Sequence, residues 1–211
     1  IRISLVFEHI VITGINPSLS NLGDNKSPSS ISATMASRKG IIVVNAAGNS
    51  GNGVWKHIGV PADADSILTV GGVDENKEMA SFSSFGPTSD NRVKPSVCAQ
   101  GENASVINSS GKVIKANGTS FASPILAGLV ACLWQSHPNK TNMEIINAII
   151  SSASLYNSPN DYEGYGLANF YKADSLLTLS EDLIPSLHLY TNPSIGEFTI
   201  ELYSASNTTA T

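Results

Sequence analysis

Ile41-Ile42-Val43-Val44-Asn45-Ala46-Ala47 is a short apolar run rich in β-branched residues, and Gly48-Asn49-Ser50-Gly51-Asn52-Gly53 ends it. An apolar run bounded by glycines reads as a strand buried on both faces, as in a parallel sheet. Ile67-Leu68-Thr69-Val70, closed by Gly71-Gly72, reads as a second one. Helical spacing lies on either side. Ser30 to Arg38 is compatible with a helix, and Gly40 is its stop. Thr119 to Gln135 carries Ile125, Leu126, Leu129, Val130, Leu133 and Trp134 at helical spacing, with Ala122, Ala127, Gly128 and Ala131 between them. A helix that is small or apolar nearly all round is predicted to be buried. His137-Pro138 ends it. Thr141-Asn142-Met143-Glu144 is a capping-box pattern, and Ile145, Ile146, Ile149 and Ile150 supply the next apolar face. Strands alternating with helices predict an α/β layer fold.

The 211 residues hold 12 Lys plus Arg and 17 Asp plus Glu, a formal charge of −5. A chain without a basic excess has no electrostatic footprint for nucleic acid. Apolar residues make up 41%, enough for one substantial core with a small appendage. No apolar run is long enough for a transmembrane helix. Ile1 to Val6 lack the cleavage site of a signal peptide. Cys98 and Cys132 make neither a disulfide framework nor a CxxC motif, and both read as buried free thiols.

Chemistry concentrates in Asn117-Gly118-Thr119-Ser120-Phe121-Ala122-Ser123-Pro124, which opens the longest helix. A Ser in a first helical turn has a free backbone N–H and the positive end of the helix dipole beside it. Taken alone, Thr119 or Ser120 reads as an ordinary N-cap. Asn49 follows the end of a buried parallel strand, the edge at which open α/β sheets bind ligands. Its side-chain amide, with the Ser120 N–H, would make an oxyanion hole; alone, Asn49 reads as a turn residue.

Together these stretches resemble the subtilisin-like serine proteases, the subtilases. Gly118-Thr119-Ser120-x-Ala122-Ser123-Pro124 is similar to their nucleophile motif, and Ala46-Ala47-Gly48-Asn49 to their oxyanion motif. Val60-Pro61-Ala62, Ile67 to Asp74, Ala80 to Pro87, His137-Pro138-Asn139 and Tyr165 to Asn169 are similar in the same order. The resemblance covers roughly residues 15 to 177. It implies a three-layer subtilisin-like fold with a mostly parallel sheet, incomplete at its N-terminal side. It also implies that Ser120 is the nucleophile and Asn49 the oxyanion donor, backed by Thr119. Ala46, Ala47 and Gly48 would wall the pocket for the substrate's P1 side chain, with Gly59 near its floor and Gly118 open to substrate backbone. Ser50 stands where the family often has an acidic residue, which weakens any preference for basic P1. The implied partner is a protein or peptide substrate. No cofactor or metal is expected. The family often binds calcium, but Asp63, Asp65, Asp74 and Glu75 are not spaced as a loop motif and read as solvated turn residues.

The departures are equally specific. The family's acid lies in an Asp-Ser/Thr-Gly motif and its base in a His-Gly-Thr motif, and neither occurs here. His9, His57, His137 and His188 are followed by Ile10, Ile58, Pro138 and Leu189. Ile15-Asn16-Pro17-Ser18-Leu19 resembles the strand that lines the family's substrate cleft, with Pro17 removing a backbone donor. Tyr190-Thr191-Asn192-Pro193-Ser194-x-Gly196 resembles the start of the Bacteroidetes type IX secretion sorting domain; the plain alternative is an ordinary β-hairpin. The expected organisation is therefore a catalytic portion at residues 1–177, a linker at 178–186, and a partial β domain, one hairpin of a small β-sandwich, at 187–211. Secretion or a bacterial cell surface is the implied location, with the type IX machinery as a partner. Three functions stay open: a serine endopeptidase whose acid and base lie outside this chain, a non-catalytic binding or surface module on the same scaffold, and, ranked far below both, an α/β protein with unrelated chemistry.

Overall fold

The computed structural model describes residues 3–6, 27–182, 186–191 and 198–203. Four parallel strands form the main sheet, in the order β1 (Ile3–Val6), β2 (Ile42–Ala46), β3 (Leu68–Val73) and β4 (Val97–Gln100). The register sets Val6 beside Asn45, Ala46 beside Val70, and Gly72 beside Ala99. Successive side chains on a strand point to opposite faces. On β2, Ile42 and Val44 therefore join the large core, whereas Val43 joins a smaller one on the other side.

The large core is closed by α2 (Thr119–Ser136), α3 (Asn142–Ser152) and α4 (Phe170–Asp182). The smaller core packs Ala33 of α1 (Pro28–Arg38) against Val43, Ala64 and Ile67. Helices on both faces of a parallel sheet make the three-layer α/β arrangement expected from the sequence. An antiparallel pair, β5 (Ala104–Ile107) and β6 (Val113–Ala116), lies between β4 and α2 in the chain. Strands β7 (Ser186–Thr191) and β8 (Phe198–Tyr203) pair antiparallel, and residues 192–197, which hold most of the sorting-motif resemblance, lie outside the described residues. The segment Ile15–Leu19 lies outside them as well.

The local signals act as expected at α3. Thr141 Oγ1 accepts the Glu144 N–H at 3.2 Å, and Glu144 Oε2 accepts the Thr141 N–H at 2.8 Å, a complete capping box. The Thr141 N–H and the Thr141 hydroxyl both donate to Glu144 Oε2 and hold the Glu144 carboxyl below its ordinary range. Helix α1 begins at Pro28, earlier than the pattern suggested, because Pro suits a first helical position.

Five expectations are corrected. β3 does not stop at Gly71-Gly72 but runs through both to Val73. A side chain at Gly71 would stand 2.8 Å from Cys98 Sγ, and one at Gly72 would press on Phe82 and Thr119, so the glycines mark close approach rather than a turn. α2 is not buried all round: Leu126, Val130, Leu133 and Trp134 face the core, while Ile125 and Leu129 are 42% and 44% exposed. Cys132 shares that outer stripe and is exposed; only Cys98 is buried. α4 continues to Asp182, into the segment read as a linker, because nothing before Pro185 breaks it and Leu177 anchors it in the core. Asp63 is fully buried, not solvated, and accepts the Ser30 hydroxyl.

Two measurements check this packing on the 211-residue chain. Leu126→Ala should cost about 2–5 kcal/mol in urea unfolding, whereas Leu129→Ala should stay within about 0.5 kcal/mol. Burial, aided by the Glu163 charge, pushes the Cys98 thiol up to about 12. Ellman's reagent should therefore modify Cys132 in the native protein and reach Cys98 only after unfolding.

Candidate active site

β2 and α2 meet at the C-terminal edge of the sheet, and the sequence at their junction explains how closely. Gly118 precedes α2 with φ 151° and ψ 144°, a conformation that favours glycine. Its N–H donates to the Gly101 carbonyl at 2.7 Å. Pro124 lies inside α2 and has no N–H to give the Ser120 carbonyl, so the first turn is free of the bond that would continue it.

The decisive contact is between Thr119 and Asn49. Asn49 Oδ1 accepts the Thr119 backbone N–H at 2.8 Å and the Thr119 hydroxyl at 3.0 Å. A backbone N–H can only donate, so the amide atom it meets is the oxygen. Thr119 Oγ1 in turn accepts the Gly48 N–H at 3.2 Å. Thr119 is fully buried, which keeps water from competing. The amide of Asn49 is thus fixed with Nδ2 turned outward, and Nδ2 has no partner among the described residues. A methyl added at Gly118 would lie 3.6 Å from Nδ2, so the missing side chain keeps that donor uncovered.

Ser120 follows at the surface, its side chain exposed. Its N–H is a first-turn donor without an acceptor among the described residues. The rim of this edge therefore carries two unused donors, Asn49 Nδ2 and Ser120 N–H, beside a hydroxyl, all at the positive end of an 18-residue helix. Such an arrangement can hold negative charge developing on a carbonyl oxygen.

Gly48, Asn49, Ser50, Gly118, Thr119 and Ser120 come together at this point. Ala46 and Ala47 are buried behind them, and Ala47 packs on Ile58 and Ala62; Gly59 follows Ile58 in the chain. The Ser50 carbonyl accepts the N–H groups of Gly53 and Lys56 and folds the loop back on itself.

No histidine is hydrogen-bonded to Ser120 among the described residues. His57 Nδ1 meets the Gly86 carbonyl at 3.2 Å, with its ring against Trp55 and Phe85. His137 is buried at the opposite end of α2, where Nε2 meets Asp174 Oδ1 at 2.9 Å. That end is roughly 25 Å from Ser120 at 1.5 Å per residue. The side chains of His9 and His188 lie outside the described residues. No group of three or more His, Cys, Asp and Glu is placed to hold a metal ion among the described residues.

The model of the subtilase family, Peptidase S8, matches residues 13–166. The chain belongs to the subtilase family. It is 40% identical to Subtilisin DY of Bacillus licheniformis over 131 residues, 62% of this chain and 45% of that protein. It is 36% identical to Subtilisin Savinase of Lederbergia lenta over 134 residues, 64% of this chain and 46% of that protein. The self-cleaved protease domain of PatA superposes with a TM-score of 0.60 at 25% identity, covering 74% of this chain and 58% of that one. This subtilase chain thus spans less than half the length of the two subtilisins it matches.

Two features beside these residues lay in stretches that carried the family resemblance but were given no role from the sequence. Gly72 and Gly101 form the narrow seat on which Gly118 and Thr119 rest. The segment Ala80–Phe85 supports the loop after β2, with Gly51 N–H donating to the Phe82 carbonyl at 2.8 Å. Its run of serines, Ser81, Ser83 and Ser84, was the readable trace.

Proposed function

We propose that this chain carries the nucleophile and oxyanion half of a subtilisin-type serine endopeptidase. The observation that carries the reading is the Asn49 amide, locked through its oxygen by Thr119 and left with a free donor beside Ser120. Ser120 Oγ attacks the scissile carbonyl and releases the leaving amine, giving an acyl-enzyme that water then hydrolyses. Ser120 N–H and Asn49 Nδ2 stabilise the oxyanion formed in each step. Ala46, Ala47, Gly48, Ser50 and Gly59 line the pocket for the substrate side chain, and the uncharged Ser50 favours apolar or broad preference.

A Ser hydroxyl needs an adjacent base to become nucleophilic at neutral pH. We assign that His, and the Asp that orients it, to a part of the subtilase domain outside this sequence. Residues 1–211 alone are expected to be inactive. The lack of a histidine on Ser120 among the described residues also favours a second reading, a non-catalytic surface module. The upstream reading frame separates them: Asp-Ser/Thr-Gly and His-Gly-Thr motifs there support the enzyme. The tail at Tyr190 to Gly196 supports export by a type IX route.

In the complete enzyme, a fluorophosphonate probe should label Ser120, and Ser120→Ala should abolish the label. Asn49→Ala should lower kcat by roughly 10²–10³ with little change in KM. Loss of one oxyanion-hole donor in a subtilisin has an effect of that size. Undiminished labelling of Ser120→Ala, or a loss confined to KM in Asn49→Ala, would contradict the assignment.

A further inference from the structure

Asn49 sits on a loop that its own sequence leaves loose. Gly48, Gly51 and Gly53 surround it, and its side chain is exposed. Thr119 fixes the amide through its oxygen, but a side chain is held in place only as well as the backbone that carries it. Thr119 and Phe82 also take the N–H groups of Gly48 and Gly51, but one residue, Ser84, bonds to the backbone on both sides of Asn49. The Ser84 N–H donates to the Gly48 carbonyl at 2.8 Å. The Ser84 hydroxyl accepts the Ser50 N–H at 3.0 Å. The positions immediately before and after Asn49 are therefore tied to the same side chain and backbone.

The tie is close. Ser84 is 1% exposed, which shields its side of both bonds from solvent, while Gly48 and Ser50 are half-buried. A methyl on Gly48 would stand 2.9 Å from Ser84 Oγ, which leaves the loop no room to settle deeper. Ser84 is itself anchored to the sheet. The Ala80 N–H donates to the Gly72 carbonyl at 2.9 Å, and Ser83 Oγ accepts the Gly72 N–H at 3.0 Å. A rigid path thus runs from β3, through Ser83 and Ser84, to the backbone on both sides of Asn49.

We propose that Ser84 is a positioning residue for the oxyanion donor: it touches no reacting atom and acts by fixing the Asn49 backbone. An oxyanion donor is effective only when held within about 2.7–3.1 Å of where the oxygen will be. Misplacement by about 1 Å can cost on the order of 10²-fold in rate. Removing the hydroxyl leaves the Ser50 N–H without its acceptor and frees one side of the loop, while the bond to Gly48 remains. The inference rests on Asn49 being the oxyanion donor.

The test is a double-mutant cycle on the complete enzyme, with peptide hydrolysis and thermal unfolding measured for Ser84→Ala, Asn49→Ala and the double variant. Ser84→Ala should lower kcat on the order of 10-fold with KM unchanged, and should add no further loss in the Asn49→Ala background. A merely structural role would lower the midpoint of unfolding and reduce kcat by the same factor in both backgrounds, which would overturn the proposal. A change in KM alone, or an unchanged kcat, would overturn it too. Should Asn49→Ala itself leave kcat intact, the oxyanion reading fails first and the role of Ser84 falls with it, a result distinct from failure at Ser84 alone. If Ser84→Ala does not fold, Ser84→Cys, nearly isosteric and a weaker acceptor, takes its place in the same cycle.

Discussion

Asn49 Oδ1 accepts both the backbone N–H and the hydroxyl of Thr119, and these bonds join the end of β2 to the start of α2. Everything else at the site is arranged around that junction. The bonds decide which end of the Asn49 amide faces outward. They satisfy one of the orphan donors of the α2 N-terminus, which has no side-chain cap of its own at Gly118. They also use the buried hydroxyl of Thr119 twice, since the same oxygen accepts the Gly48 N–H. With the helix end partly satisfied in this way, the Ser120 N–H is left as a donor facing the exposed edge of the sheet.

The sheet makes this junction affordable in space. Parallel strands bury both faces, so β2 and β3 deliver their C-terminal ends to one edge with apolar layers on either side. The α2 N-terminus can approach that edge only where side chains are missing. Gly72 and Gly101 provide the gap, and the Gly118 N–H to Gly101 carbonyl bond of 2.7 Å closes it. A side chain at Gly72 would meet Thr119 and Phe82 at 3.4 Å, so these glycines set how closely α2 approaches the sheet.

The parts legible in the sequence were those with a strong local pattern. The continuous apolar run at Ile42–Ala46, the capping box at Thr141, and the spacing of Leu126, Val130 and Leu133 each carry their own signal. Ser120 and Asn49 stood out in the sequence because motif and strand end coincide, and the fold brings them to one edge of the sheet. What was not legible depends on distant partners. β4 is four residues long, and β5 and β6 are equally short and mostly outside the core, too little for a periodicity. Gly71-Gly72 looked like a stop because the reason for those glycines, Cys98 on one side and Thr119 on the other, lies far along the chain. The outer stripe of α2 looked like core because composition does not tell which side of an apolar helix meets the sheet. Ser84 could not be singled out from the serines around it, since its importance lies in meeting Gly48 and Ser50 across a loop.

The account stands most directly on the direction in which the Asn49 amide points. The measurement is a crystal structure of the complete enzyme carrying a peptidyl phosphonate bound covalently to Ser120. The phosphonyl oxygen should lie about 2.7–3.1 Å from both Asn49 Nδ2 and the Ser120 N–H, with Thr119 still bonded to Asn49 Oδ1. A structure in which that oxygen faces solvent, or in which the Asn49 amide has turned its oxygen toward it, would contradict the account.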